Sequence, residues 1–248
     1  DLKASRSGLD RCLRRHGVSN LQALRVEQTG EAEAPMKTFR SGRSAKAYEP
    51  GFVHVDIKYL PQMPDETQRR YLFVGIDRAT RWVFLHIYSD QSEISSTDFL
   101  RRLKQAAPMK IEKVLTDNGS QFTDRFTHKT REPSGDHAFD RCCKDLGIVH
   151  RLCPPRHPQT NGMVERFNGR ISEVVKQTRF GSAQELESTL MGYGLIYNQR
   201  IPQRALNHRS PIQALQEWYG KRPELFVRQV CNHTGLDMRL KSSGLIIL

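Results

Sequence analysis

Several features that mark common classes of protein are scarce or missing from this chain. No apolar run in its 248 residues approaches the ~20 residues that a helix needs to span a bilayer, and no signal-peptide pattern opens the sequence. Only five cysteines are present, and no two of them have the C-x-x-C spacing of a zinc or redox site. These absences predict a cytoplasmic protein with reduced thiols and argue against a disulfide scaffold or a membrane protein.

Acidic residues are also outnumbered. The chain has 27 Asp and Glu against 39 Lys and Arg, a formal net charge of +12 and an isoelectric point near 9.7. A charge of this size favours a polyanionic partner, and without a membrane segment nucleic acid is the leading candidate. The alternative is that the basic residues serve solubility alone. The length allows one substantial core with appendages.

Five short segments have the composition or alternation of β-strands, namely FVHVDIKYL, YLFVGID, RWVFLHIY, IEKVLT and IVHRLC. The first three are consecutive, and the second and third are separated by a short turn at Arg78–Thr80, which predicts an antiparallel pair. Helical spacing of apolar residues follows between and after the later strands, and a helix is expected to begin at Ser95–Asp98 and to stop before Pro108. This order predicts an α/β fold with a mixed five-stranded sheet flanked by helices.

Three acidic residues stand in distinctive surroundings. Asp56 lies in FVHVDIKYL, Asp117 in VLTDNGSQF at the end of a predicted strand, and Glu165 in PPRHPQTNGMVERFNGR near the start of a predicted helix. Carboxylates from separate elements repel one another when they are brought together, unless cations neutralise them. Hard oxygen ligands suit Mg²⁺ or Mn²⁺, which often act in pairs on phosphodiesters. The three residues therefore predict metal-assisted chemistry on a nucleic-acid backbone.

The motifs HVDIKYL, LTDNGSQF and HPQTNGMVERFNGRI occur here in one order, and with the material between them they resemble a known family. From about Phe52 to Phe226, the chain resembles the catalytic core of the retroviral-integrase superfamily, specifically that of a bacterial insertion-sequence transposase of the Asp-Asp-Glu type. The run around Glu165 is the most specific part, whereas LTDNG alone is weak because Asn-Gly is also a common hairpin turn. The resemblance implies a ribonuclease-H-like fold and metal-dependent DNA cleavage and strand transfer.

The resemblance also implies roles, cofactors and partners. Asp56, Asp117 and Glu165 are expected to be both catalytic and metal-binding, with Asp56 bridging two Mg²⁺ or Mn²⁺ ions, Asp117 binding one and Glu165 the other. The expected partner is double-stranded DNA, as transposon ends and as target, in association with the bacterial nucleoid. Relatives act on paired DNA ends, so a homo-oligomer is implied as well.

Further polar residues near the motifs are candidate DNA contacts. Basic and amide side chains close to the carboxylates, or on helices, can reach phosphates or orient the duplex. For the amides the alternative is equally open, since Asn and Gln often bind turn backbones instead. The candidates are Asn118, Gln121, Gln159, Asn161, Arg166, Arg170, Arg14 and Arg15.

The chain is expected to have three parts. Residues 1–48 predict the remnant of a helix-turn-helix DNA-binding region plus a linker, residues 49–220 an integrase-type catalytic core, and residues 221–248 a small tail element that contains a possible strand, LFVRQV. Two functional alternatives to a transposase remain. One is a hydrolytic nuclease of ribonuclease-H type, and the other is a non-catalytic or truncated DNA-binding remnant.

Overall fold

The structure is a computed structural model, and it describes residues 48–126, 131–154 and 162–230. All of these belong to one unit, Ala47–Leu248. The predicted helix-turn-helix remnant, the linker before residue 48 and the end of the tail after residue 230 lie outside the described residues. Within the described ranges, no helix has both the length and the apolarity needed to cross a membrane.

The core is a mixed five-stranded sheet. Its strands are β1 (Phe52–Tyr59), β2 (Tyr71–Asp77), β3 (Val83–Tyr88), β4 (Lys113–Thr116) and β5 (Val149–Leu152). They lie in the order β3-β2-β1-β4-β5, in which β1 pairs antiparallel with β2, β2 antiparallel with β3, and β4 parallel with both β1 and β5. All five predicted strands are present, and the predicted α/β class with a mixed five-stranded sheet, of the ribonuclease-H-like kind, is confirmed.

Five α-helices are found in the described part of the chain: α1 (Glu93–Ala106), α2 (Ala138–Asp145), α3 (Gly162–Gln177), α4 (Ala183–Arg200) and α5 (Pro211–Lys221). Helix α1 begins earlier than the sequence predicted, because Ser92 rather than Ser95–Asp98 caps it, its side chain accepting from the Ser95 amide. Its end before Pro108 is as predicted. Helix α5 is capped by Ser210, which forms a capping box with Gln213.

The sheet buries a core on each face. One face carries Val53, Val55 and Phe73 against buried residues of α1 and α2. The other carries Leu72, Val74 and Ile76 against α3 and α4. Since side chains alternate along a strand, Asp56 faces the α3 side, away from the β1 valines.

One local prediction was wrong. LFVRQV forms no strand within its described residues, because Phe226 makes only an isolated bridge to Met109, beside Pro108, which has no amide to donate to a ladder.

In α4, Gly194 is buried, whereas the neighbouring Leu195 is only half-buried. A Cβ atom at Gly194 would lie 2.7 Å from Leu85 Cδ1, so the close approach of α4 to β3 requires glycine there.

Asp77 is a fully buried carboxylate at the β2–β3 turn. Its Oδ2 accepts from the Ala79 and Thr80 amides and from the Thr80 hydroxyl, and its Oδ1 accepts from the Gly51 amide at 2.9 Å. Burial raises the pKa of Asp77, and these donors oppose that rise. The carboxylate therefore ties the turn to the segment that leads into β1.

Replacing Asp77 with asparagine is expected to lower the free energy of unfolding by about 1–3 kcal/mol, the usual cost of one unpaired buried donor. The amide oxygen can take the place of Oδ2, but the amide NH₂ would then face the Gly51 N–H. Urea unfolding measures the change. The matched control is Asp136→Asn at an exposed position, where a change within about 0.5 kcal/mol is expected. Equal midpoints for the two variants would contradict the structural role.

Candidate active site

Strand register places two of the predicted catalytic residues side by side. In the parallel β1–β4 pair His54 lies opposite Leu115, so two residues further along Asp56 comes opposite Asp117, directly after β4. In the β4–β5 pair Thr116 lies opposite Leu152, which brings Cys153 next to Asp117. The carboxyl ends of parallel strands meet at one edge of a sheet. We call Asp56, Asp117 and Cys153 the edge row.

Glu165 approaches the edge row from α3. Its helix packs on the sheet through Val164, Phe167 and Ile171, and this leaves Glu165 exposed in the first turn. The negative charge of Glu165 raises the pKa of Asp56. The structure therefore brings the three predicted carboxylates into one electrostatic environment.

The pKa of the Asp56 carboxyl shows most clearly that this environment disfavours negative charge. Burial raises its pKa from 3.8 to about 6, and the charges of Asp117 and Glu165 add to the increase. Hydrogen bonds from the Ile57 amide and from Asn168 offset only part of it. Burial likewise raises the pKa of the Cys153 thiol, and all three carboxylates contribute to that rise. The site thus holds more negative charge than its surroundings stabilise.

Asn168 is a site residue that sequence analysis missed. Its Nδ2 donates a 2.8 Å hydrogen bond to Asp56 Oδ2, while its Oδ1 is buried without a hydrogen-bond partner. A carboxylate only accepts, which fixes the amide orientation and leaves the amide oxygen beside the acids. The signal was available in the sequence, since a residue three after Glu165 on a helix lies on the same face.

The chemistry of these donors fits a divalent cation. Three carboxylates and an unpaired amide oxygen are hard oxygen ligands, and a cation would stabilise the ionised form of Asp56 that burial disfavours. It is the type of donor that fits a cation. In the described ranges, no group of three or more His, Cys, Asp and Glu side chains is already arranged to hold a metal ion.

The turn after β4 is held by its own polar side chains. Asp117 Oδ1 accepts from the Gly119 amide at 2.9 Å. Asn118 donates to the Cys153 carbonyl at 2.9 Å and accepts from Arg125 at 3.2 Å. The Gln121 side chain lies so close over Gly119 that a Cβ there would come within 2.3 Å of its amide nitrogen. Both ends of the Asn118 amide are thus engaged within the protein, and the Gln121 side chain packs over Gly119.

Two arginines of α3 line a groove that also contains Glu165. Arg166 and Arg170 border an open groove that also includes Glu165 and Glu173, and Arg166 Nε donates to the Gly162 carbonyl at 3.2 Å. The guanidinium carbon of Arg170 lies 5.6 Å from the centre of the Tyr197 ring. Burial raises the pKa of Tyr197 to about 12. We call this surface the arginine groove.

Arg81 was not singled out from the sequence. It lies at the β2–β3 turn with a φ of 63°, and its Nη1 is buried without a hydrogen-bond partner. Burial lowers the pKa of its guanidinium, and the charges of Arg166 and Arg78 act in the same direction. A positive φ at a non-glycine residue gives no reliable sequence signal, which explains the omission.

The remaining predicted DNA contacts cannot be placed. Gln159, Asn161, Arg14 and Arg15 lie outside the described residues. Their roles stay predictions from the sequence.

Comparison with known families gives two matches. Residues 48–158 match a family model described as an integrase core domain, and residues 146–211 match a second model with the same description. The two matched regions together contain the edge row, Glu165 and Asn168.

Individual proteins are also similar to this chain. The "Putative integrase ORF3" of Spiroplasma virus SpV1-C74 is 27% identical over 173 residues, which cover 67% of this chain and 48% of that protein. The Gag-Pol polyprotein of woolly monkey sarcoma virus is 26% identical over 195 residues, which cover 75% of this chain and 11% of the polyprotein. The chain therefore spans about half the length of the first relative and a small part of the second.

A solved structure of the catalytic core domain of BIV integrase is 17% identical, with a TM-score of 0.49, and the match covers 69% of this chain and 97% of that one.

Proposed function

We propose that this chain, which belongs to the integrase core domain family, is an Asp-Asp-Glu transposase that cleaves DNA strands and transfers them to a target. The observation that carries the proposal is the placement of Asp56 beside Asp117 across β1 and β4, within the electrostatic reach of Glu165. Carboxylates crowded at one sheet edge are unfavourable for folding alone, and sites of this kind are typical of catalysis.

Asp56, Asp117 and Glu165 would hold the divalent cations, Mg²⁺ or Mn²⁺, with two ions expected. Bound there, the metal would supply activation of a water or DNA 3′-hydroxyl and stabilise charge on the leaving oxygen. Asn168 orients the Asp56 carboxylate by donating a hydrogen bond to its Oδ2. The Gly119 amide does the same for Asp117 by donating to its Oδ1.

The arginine groove would hold the phosphates of the DNA. Arg166 and Arg170 lie on the same helix as Glu165, so a duplex that reaches the carboxylates passes these guanidinium groups. The net charge of +12 agrees with a ligand recognised mainly through its backbone. The sequence-predicted contacts at Asn118, Gln121, Gln159 and Asn161 remain part of the proposal.

The core is proposed to span residues 49–220 and to act as a homo-oligomer on double-stranded DNA ends. A DNA joining assay tests the proposal. Labelled duplexes carrying the DNA that flanks the coding region are incubated with supercoiled plasmid and Mg²⁺ or Mn²⁺. Joined products support a transposase, cut products without joining indicate a nuclease, and retention of DNA without products indicates a binding remnant.

Neutralising the arginine groove is expected to weaken DNA binding at every sequence alike. Replacing Arg166 or Arg170 with glutamine should reduce the slope of log affinity against log salt by about 0.9, the value for one lost phosphate contact. Fluorescence anisotropy across salt concentrations measures the slope. The matched control is Arg102→Gln on α1, where the arginine pairs with Asp98 on the other side of the sheet. An unchanged slope in both groove variants would exclude phosphate contacts there.

A further inference from the structure

Three polar side chains form a buried hydrogen-bond network behind the active site, on the α2 face of the sheet. Asp140 Oδ1 on α2 lies 2.5 Å from His150 Nδ1 on β5, and His150 Nε2 lies 2.9 Å from the hydroxyl of Thr116 at the end of β4. Thr116 Oγ1 in turn lies 2.9 Å from the main-chain oxygen of Asp117. The contacts thus run from α2 across two strands to a predicted metal ligand.

These groups are deeply buried. Thr116 is 0% exposed, and the side chains of His150 and Asp140 are 6% and 15% exposed. The Phe139 ring packs edge-on against the imidazole, with the ring centres 4.9 Å apart. Burying polar groups is costly unless they are all paired, and apolar side chains would pack this layer at lower cost. The network therefore calls for a reason beyond packing.

The directions of these hydrogen bonds follow from the protonation states of Asp140 and His150. An ionised Asp140 only accepts, so His150 Nδ1 carries a hydrogen. A neutral imidazole then accepts at Nε2, and the single Thr116 hydroxyl hydrogen points to His150. If the imidazole is doubly protonated, Nε2 donates to Thr116, and the hydroxyl hydrogen is free for the Asp117 carbonyl. With the doubly protonated imidazole, hydrogen bonds run unbroken from Asp140 to the Asp117 carbonyl. With the neutral imidazole, the Thr116 hydroxyl donates to His150, and Asp117 is held through the main chain that follows Thr116.

We propose that Asp140, His150 and Thr116 form a positioning relay that fixes the main chain at Asp117 and so determines where its carboxylate lies in the active site. The inference rests on the proposed function, because it assigns Asp117 to that site. The relay residues touch neither DNA nor the reacting atoms. They act through Asp117, as supporting hydrogen bonds commonly do behind metal ligands.

Two substitutions at one position separate the relay from simple packing. Thr116→Val keeps the shape and removes the hydroxyl, whereas Thr116→Ser keeps the hydroxyl. By calorimetry, the Thr116→Val variant is expected to bind Mn²⁺ about tenfold more weakly than the wild type, the scale known for lost supporting partners. The serine variant should restore affinity to within about twofold. In joining assays, kcat should fall in the valine variant while KM for DNA stays unchanged, because no DNA contact is touched.

A matched control removes a second buried threonine hydroxyl, one that contacts none of Asp56, Asp117 and Glu165. Thr80 is 0% exposed and donates to Asp77 at 2.7 Å. Thr80→Val is expected to lower the melting temperature without changing Mn²⁺ affinity. If Thr116→Val fails to fold, Asp140→Asn tests the same relay from its far end, since it keeps the acceptor oxygen and removes the charge. A severalfold loss of Mn²⁺ affinity is expected there too.

The outcomes separate the two proposals. Equal Mn²⁺ affinity in the wild type and in folded Thr116→Val or Asp140→Asn overturns the relay, whatever the joining assay shows. Weak binding in Thr116→Ser as well would also overturn it, because then the hydroxyl is not what matters. A wild type that binds Mn²⁺ more tightly than Thr116→Val but joins no DNA overturns the proposed function and leaves the positioning of Asp117 supported.

Discussion

Replacing Asp56 with asparagine is expected to abolish DNA cleavage and joining while leaving DNA binding nearly unchanged. The charges of Asp117 and Glu165 both act on Asp56, and these three carboxylates would hold the metal ions together. Asparagine keeps the size of the side chain and removes the charge. We expect the joining rate to fall by about 10²–10³-fold, the scale of losing one group that stabilises charge in a transition state.

Binding should be spared because one carboxylate contributes little to a surface with a net charge of +12. A gel-shift titration alongside the joining assay measures both properties on the same preparation. The matched control is Asp145→Asn, an exposed aspartate on α2, for which both properties should be unchanged. Joining by the Asp56 variant at a tenth of the wild-type rate or more would show that Asp56 is not a catalytic ligand.

The sheet was predictable because its signals are local. β1 shows the alternation of two, and β2 and β3 are separated by a turn whose first residue follows Asp77, so the antiparallel pair could be predicted from neighbouring residues alone. Asp117 was placed at a strand end for the same reason. The start of α1 was placed too late because several serines compete as caps in that stretch, and only the hydrogen bond from the Ser95 amide to Ser92 shows which one is used.

The features that the sequence did not reveal depend on contacts between residues that are far apart in the sequence. The hydrogen bond from Asn168 to Asp56 joins residues 112 positions apart, and the contact between Thr116 and His150 joins residues 34 apart. Arg81 is placed by a left-handed backbone at a turn. Composition and periodicity do not indicate such pairings. The three carboxylates were noticeable from their motifs, whereas the groups that support them become evident only from strand register and helix packing.

The same Asp56→Asn substitution is expected to stabilise the metal-free protein at alkaline pH. The folded-state pKa of Asp56 is raised from 3.8 to about 6, so between these values the folded state binds more protons than the unfolded state. Stability from this group is therefore present below about pH 4 and is lost as the pH rises through about 6. At pH 8 the ionised carboxylate costs the folded wild type up to about 3 kcal/mol, which asparagine avoids.

Urea unfolding in EDTA at pH 4 and pH 8 measures this difference for wild type and variant. The variant should be the more stable protein at pH 8, by up to about 3 kcal/mol, and most of the difference should disappear by pH 4. Adding Mg²⁺ at pH 8 should reverse the order, because a ligand that binds only the folded state stabilises the protein that binds it more tightly. Comparing the two proteins removes the contribution of every other titrating group. If the free energies of unfolding of the two proteins vary in parallel with pH in EDTA, the charge at Asp56 is not destabilising. The site would then have no need of cations to neutralise it.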